Sequence, residues 1–95
     1  MRIEYDPVKR EQTLTARGLD MALVAEVFLG PHLTIEDDRR DYGEPRLVTV
    51  GMLRQRLVFI AWTPRGDARR IISLRKANDR EIARFGPRLR DDPGR

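Results

Sequence analysis

The sequence predicts a single small α+β domain with the element order β-α-α-β-β-β-β-α. Three observations carry this. Two capped helical segments open the chain. The hydrophobic period changes from 3.6 to 2 after Pro31. The later strands are joined by short connections, which imply antiparallel pairing. Two N-terminal helices then cover one face of a small antiparallel sheet, and a C-terminal helix follows. At 95 residues, 40% apolar and 36% charged, the chain has room for one modest core. We place the domain at residues 1–90 and expect the tail over 91–95 to fray.

The elements follow in order. Arg2 to Tyr5 alternates as a short first strand. Asp6 and Pro7 open a helix as N-cap and first helical residue, where the missing proline N–H costs nothing. It runs to about Arg17 and stops at Gly18. Asp20 caps a second helix, with Leu19 and Val24 as a hydrophobic staple. Met21, Val24, Ala25 and Phe28 form its buried stripe, and Gly30-Pro31 ends it. Leu33 to Ile35 begins a strand, and Glu36 to Glu44 is a charged loop. Leu47 to Met52 and Leu57 to Thr63 are strands; the latter is apolar on both faces, as a central strand covered on both sides should be. Pro64-Arg65-Gly66-Asp67 is a turn. Arg69 to Lys76 is the last strand. Asn78 caps a final helix with Glu81 as its capping-box partner, and Gly86-Pro87 stops it.

Composition removes several classes of chemistry. There is no cysteine, so disulfides, thiolate metal sites and cysteine nucleophiles are excluded. The single histidine, His32, rules out a histidine pair. The longest apolar run, Leu57 to Trp62, is far short of the roughly 20 residues of a membrane helix. The first residues lack the apolar core of a signal peptide, so a cytoplasmic location is expected. The acidic cluster Glu36-Asp37-Asp38 with Asp41 is read as a solvated loop without metal.

Charge is segregated. Residues 1–52 carry 7 basic and 10 acidic groups, and residues 53–95 carry 12 and 5. The second half is expected to face a polyanion. In the last strand, period 2 puts Arg69, Ile71, Ser73 and Arg75 on one face and Arg70, Ile72, Leu74 and Lys76 on the other. Arg65 lies in the adjacent turn and Arg46 at the start of an earlier strand. Gathered around a concave sheet face, these guanidiniums would grip phosphate oxygens. A solvated basic face accounts equally well for the charge pattern alone.

Longer motifs narrow the choice. These are Tyr5-Asp6-Pro7-x-Lys9, Gly18 with Val24-Ala25-Glu26-Val27-Phe28 after it, and Glu44-x-Arg46-x-Val48-Thr49-Val50-Gly51. The Arg65-Gly66-Asp67 turn and Arg70-Ile71-Ile72-Ser73-x-Arg75-Lys76-Ala77 complete the set. In order and spacing, over nearly the whole chain, they resemble the BrnT family of toxins. The strand-end motif is the most specific. The resemblance implies a RelE-like fold and a ribonuclease of a type II toxin–antitoxin system that inhibits translation. It also implies neutralisation by a BrnA-like antitoxin that binds DNA, in a toxin–antitoxin heterotetramer. Thr13 and Ala16-Arg17 stand where family members often carry Asn and Lys-His.

Such a ribonuclease uses the RNA's own 2′-hydroxyl as nucleophile, so no cofactor is expected and the protein's work is positioning, charge and proton transfer. The resemblance carries Glu44, Arg46, Arg65, Arg75 and Lys76 to the active site, and the basic pattern of the last strand assigns Arg69 and Arg70 to RNA binding. Arg75 is the expected phosphate clamp, with Arg46 and Arg65 beside it. Lys76 supplies charge or a proton. Glu44 is either a base or a salt-bridge partner of Arg46. Tyr42 and His32 are further proton-transfer candidates, Glu81 is a capping residue, and Trp62 is core. The competing class is a non-catalytic nucleic-acid-binding or protein-interaction module.

Overall fold

The computed structural model describes residues 1–39 and 41–90; the tail over 91–95 lies outside them. The chain runs β1 (Arg2–Glu4), α1 (Pro7–Arg17), a 3₁₀ turn (Met21–Leu23), α2 (Ala25–Leu29) and β2 (His32–Glu36). Then come β3 (Leu47–Leu53), β4 (Arg56–Arg65), β5 (Ala68–Lys76) and α3 (Asp79–Arg90). The strands form one five-stranded sheet in the order β1-β5-β4-β3-β2. The expected α+β class and element order hold, with one correction to the sheet. Four strands pair antiparallel, but β1 runs parallel to β5, Arg2 opposite Ala68 and Glu4 opposite Arg70. No hairpin joins these two strands, so tertiary packing and not a turn sets their direction.

The first helix forms as its caps dictate. Asp6 accepts the Val8 N–H at 2.9 Å, and Gly18, at φ 68°, donates to the Leu14 carbonyl. The second expected helix breaks in two. Asp20 does accept the Ala22 N–H, but it opens a 3₁₀ turn, and α-helix begins only at Ala25. The fully buried residues are Met21, Val24 and Val27, a spacing of three, with Ala25 only half-buried. A helix with three residues per turn stacks that spacing on one line. Gly51 of β3 lets this segment lie close: a Cβ there would sit 2.6 Å from Val27 Cγ1.

The helical face of the sheet holds the main core. Val58, Ile60 and Trp62 of β4 and Ile71 and Leu74 of β5 pack with Leu19, Met21, Val24, Val27 and Phe28. Trp62 donates its indole N–H to Thr49 Oγ1 at 2.8 Å, which satisfies the one polar group it buries. The outer face is covered near the β3–β4 turn by α3. There Val50, Leu57 and Leu89 are buried among Leu33, Met52, Phe59, Ile82 and Phe85. The α3 helix does not stop at Gly86-Pro87 as expected but continues to Arg90 with Pro87 inside it. Proline removes one helical hydrogen bond. Ile82, Phe85 and Leu89 share a stripe, and burying Leu89 (4% exposed) on Val50 and Leu57 offsets that loss.

A β-bulge overturns the expected faces of β5. Ala61 pairs with Ser73, but Trp62 pairs with Ile71, so Ile72 is an extra residue on β5. Alternation changes phase there. Ile71 and Leu74 both enter the helical-face core, while Ile72, Ser73 and Arg75 all turn to the outer face.

Candidate functional site

Because α3 covers only one end of the outer face, the other end remains an open groove of about 510 Å³. Its floor is apolar: Val48 of β3, Phe59 and Ala61 of β4, and Ile72 of β5. Ile35 and Glu36 at the end of the edge strand β2, and Asp37-Asp38-Arg39 after it, flank one side. Ser73 and Arg75 flank the other through the bulge, and Arg46 enters just before β3.

Arg46 is held from below. Its guanidinium lies 3.8 Å from the centroid of the Tyr42 ring, and its Nε is buried without a hydrogen-bond acceptor among the described residues. A buried donor with no acceptor costs free energy that an arriving anion would recover. Tyr42 in turn donates its hydroxyl to Asp37 Oδ2 at 3.3 Å. Asp37 is 3% exposed and accepts from Arg39 Nε at 2.8 Å and Nη2 at 2.9 Å. These charged bonds outweigh the burial of its carboxyl and hold it down at about 2. The Asp37 N–H also donates to the Arg46 carbonyl at 2.8 Å, tying the loop to the strand.

Arg75 is held from the other side. Its guanidinium lies 4.5 Å from the Phe59 ring centroid, and Glu81 accepts from Nη1 at 2.9 Å and from Nη2 at 3.0 Å. The same carboxylate accepts the Asn78 N–H at 2.9 Å, and Asn78 Oδ1 accepts the Glu81 N–H at 2.8 Å. The capping box read from the sequence is therefore present, and it also anchors the strand-end arginine. Arg75, first among the causes, and the Asn78 N–H draw the Glu81 carboxyl down to about 2.

Of the seven residues singled out in the sequence, the groove brings together Arg46 and Arg75. Glu44 pairs with Arg65 at 3.8 Å, not with Arg46, and neither lines the groove. Arg69 lies on the helical face, 4.2 Å from the Phe28 centroid and 5.0 Å from that of Trp62. Arg70 sits opposite Thr63 and Glu4 in the register. Lys76, one residue beyond Arg75, lines a shallow cleft with Ala16, Arg17 and Arg75. His32 is outside the groove, with Nδ1 2.8 Å from the Gly30 carbonyl. Thr13 and Ala16-Arg17, where the chain departs from the family pattern, border the α1 side of β5 near Ser73. The sequence reading took Asp37 as part of a solvated acidic loop and did not single out Arg39. Their i, i+2 spacing was the available signal, but it pointed to a solvated loop. Among the described residues no three His, Cys, Asp or Glu side chains come together as a metal-ligand set.

The class is that of a small α+β domain, its sheet sheathed by helices on one face and open at one end of the other, with guanidiniums at the rim of the opening. Residues 5–81 match the family described as the ribonuclease toxin BrnT of type II toxin–antitoxin systems. The chain belongs to the BrnT family: a ribonuclease toxin, with RNA as substrate and an antitoxin as partner. A search of curated proteins found no match. No helix among the described residues is long and apolar enough to cross a membrane.

Proposed function

We propose that the groove is the active site and that it cuts RNA without a metal ion, by attack of the substrate's own 2′-hydroxyl on the adjacent phosphate. The carrying observation is the pair Arg46 and Arg75. Both line the groove, both are braced by an aromatic ring, and Arg46 offers a buried N–H with no acceptor among the described residues. Two guanidiniums fixed beside one phosphate supply the positive charge that a pentacoordinate phosphate needs, without reorganisation at the moment of reaction. The apolar floor suits a nucleobase or ribose beside them. Tyr42, stacked on Arg46, is a proton-transfer candidate beside the groove. Lys76, Arg65 and Arg70 add positive charge along the flanking backbone.

The antitoxin is a BrnA-like protein that covers the groove and α3, and two toxins assemble on its dimer. A concave cationic surface that binds RNA also binds an acidic protein segment. The test of the catalytic reading is cleavage of a single-stranded RNA oligonucleotide in EDTA. We expect 2′,3′-cyclic phosphate or 3′-phosphate ends, and loss of cutting when the antitoxin is bound. Cutting that stops in chelator and returns with magnesium sinks the mechanism. A protein that shifts RNA on a gel but never shortens it favours the binding-module reading.

A further inference from the structure

Four arginines in the described structure are gripped by both oxygens of a carboxylate, and one of them is gripped differently. Arg10 on Asp20, Arg39 on Asp37 and Arg54 on Glu26 each present Nε and Nη2, the side edge of the guanidinium. Arg75 presents Nη1 and Nη2, the end edge, to Glu81. The remaining Nη1 hydrogen points to the Lys76 carbonyl at 3.3 Å. Guanidinium has five N–H donors in a rigid plane. With three used, the Nε–H and the Nη2–H beside it are left as a parallel pair, with no acceptor given to them among the described residues. A parallel pair of donors of this kind matches two phosphate oxygens.

We propose that Glu81 is a positioning residue of the active site, which holds Arg75 by its end so that its side edge is presented to the scissile phosphate. This rests on the groove being the ribonuclease site. Three contacts fix the plane at once: Glu81 at the tip, Phe59 beneath, and the Lys76 carbonyl at the flank. The Asn78 backbone N–H fixes the Glu81 carboxylate in turn, so the start of a helix outside the groove aims a side chain within it. A carboxylate on the side edge, as in the other three pairs, would occupy the edge that is left open here. The ionised Glu81 also lowers the net charge that Arg75 presents, so tight ground-state binding is not what the arrangement favours. Its benefit falls on the transition state, whose extra negative charge the fixed fork meets without reorganising.

The test compares Glu81→Gln, Glu81→Asp and Asn78→Ala with the wild type on a short RNA oligonucleotide. Glu81→Gln keeps size but loses charge and one acceptor, and Glu81→Asp is too short to reach both Arg75 and Asn78 N–H. Both should lower kcat roughly 10- to 100-fold, the scale of a misaimed catalytic group, with little change in KM. Asn78→Ala removes the side chain that accepts the Glu81 N–H while keeping both the backbone N–H that holds the Glu81 carboxylate and the Arg75–Glu81 pair. It should lower the melting temperature yet keep most of kcat. In ¹⁵N NMR the Arg75 Nε–H should give a sharp resonance in the wild type that shifts on RNA binding and broadens in Glu81→Gln. Wild-type kcat in Glu81→Gln beside an inactive Arg75→Ala overturns the positioning role and spares the groove. So does an Asn78→Ala variant that loses as much kcat as Glu81→Gln, which would mean a structural cap alone. An Arg75→Ala variant that cuts normally overturns the groove reading itself, and this assignment with it.

Discussion

Val27 Cγ1 stands 2.6 Å from where a Cβ on Gly51 would be, with His32 Cβ and the Pro31 carbonyl at 3.1 and 3.2 Å. The short helix α2 rests on β3 only because that position has no side chain. Gly51→Ala should therefore destabilise the fold by about 1–3 kcal/mol through overpacking. Val27→Ala in the same chain should return part of the loss. Urea denaturation of the two single variants and the double variant checks this, and strict additivity would contradict the contact.

The groove separates residues that the sequence grouped together. Arg75→Ala should slow RNA cleavage by roughly 10²–10³-fold, the loss expected for one donor to a developing charge. It should lower the melting temperature modestly, because the Glu81 pair is lost while the Asn78 N–H still holds that carboxylate. Lys76→Ala should lose less, because a point charge positions phosphate less rigidly than a fork. Arg69→Ala should lower the melting temperature more than it lowers kcat, because that guanidinium stacks on Phe28 and Trp62 at the opposite face. Single-turnover cleavage and melting curves on the three variants decide it.

Acid should weaken the fold through Glu81 and Asp37. In the folded protein both carboxyls sit near 2, against ordinary values of 4.5 and 3.8. The unfolded chain therefore takes up protons first as pH falls. The stabilisation is complete above the ordinary carboxylate range and is lost as pH drops toward about 2. Glu81→Gln and Asp37→Asn should each flatten the fall in melting temperature between about pH 4.5 and pH 2. An unchanged acid limb in both variants would contradict the pairing.

The β3–β4 turn carries two non-glycine residues at positive φ, Arg54 at 49° and Gln55 at 74°. Hairpin turns of this hand favour glycine at the second position. Gln55→Gly should raise stability by up to about 1 kcal/mol, the left-handed cost relieved less the entropy that glycine adds to the unfolded chain. The chemical-denaturation midpoint reads this directly. A lower midpoint would mean that the Gln55 side chain contributes contacts that outweigh its backbone strain.

What was legible in the sequence is what short-range chemistry decides. Asp6 with Pro7, Gly18, and Asn78 with Glu81 work within a few residues of one another, so their types and spacing announce helix ends. The apolar pattern of β4 announced a central strand, covered in full on the helical face but on the outer face only where α3 lies, so that Phe59 and Ala61 floor the groove. The family motifs pointed to a ribonuclease toxin before any contact was known.

Other features depended on partners far along the chain. The extra residue at Ile72 appears only when β5 lies against β4, since a bulge is a mismatch between two strands and not a property of one. It sends Leu74 to the core and Arg75 to the groove, and it left Arg69 on the far side. The passage of α3 through Pro87 likewise needed Val50 and Leu57 as a bed for Leu89. The candidate site joins Arg46, which enters β3, to Arg75 at the end of β5. Only the folded sheet brings them to one groove, because side-chain direction in a strand is set by register against its neighbours.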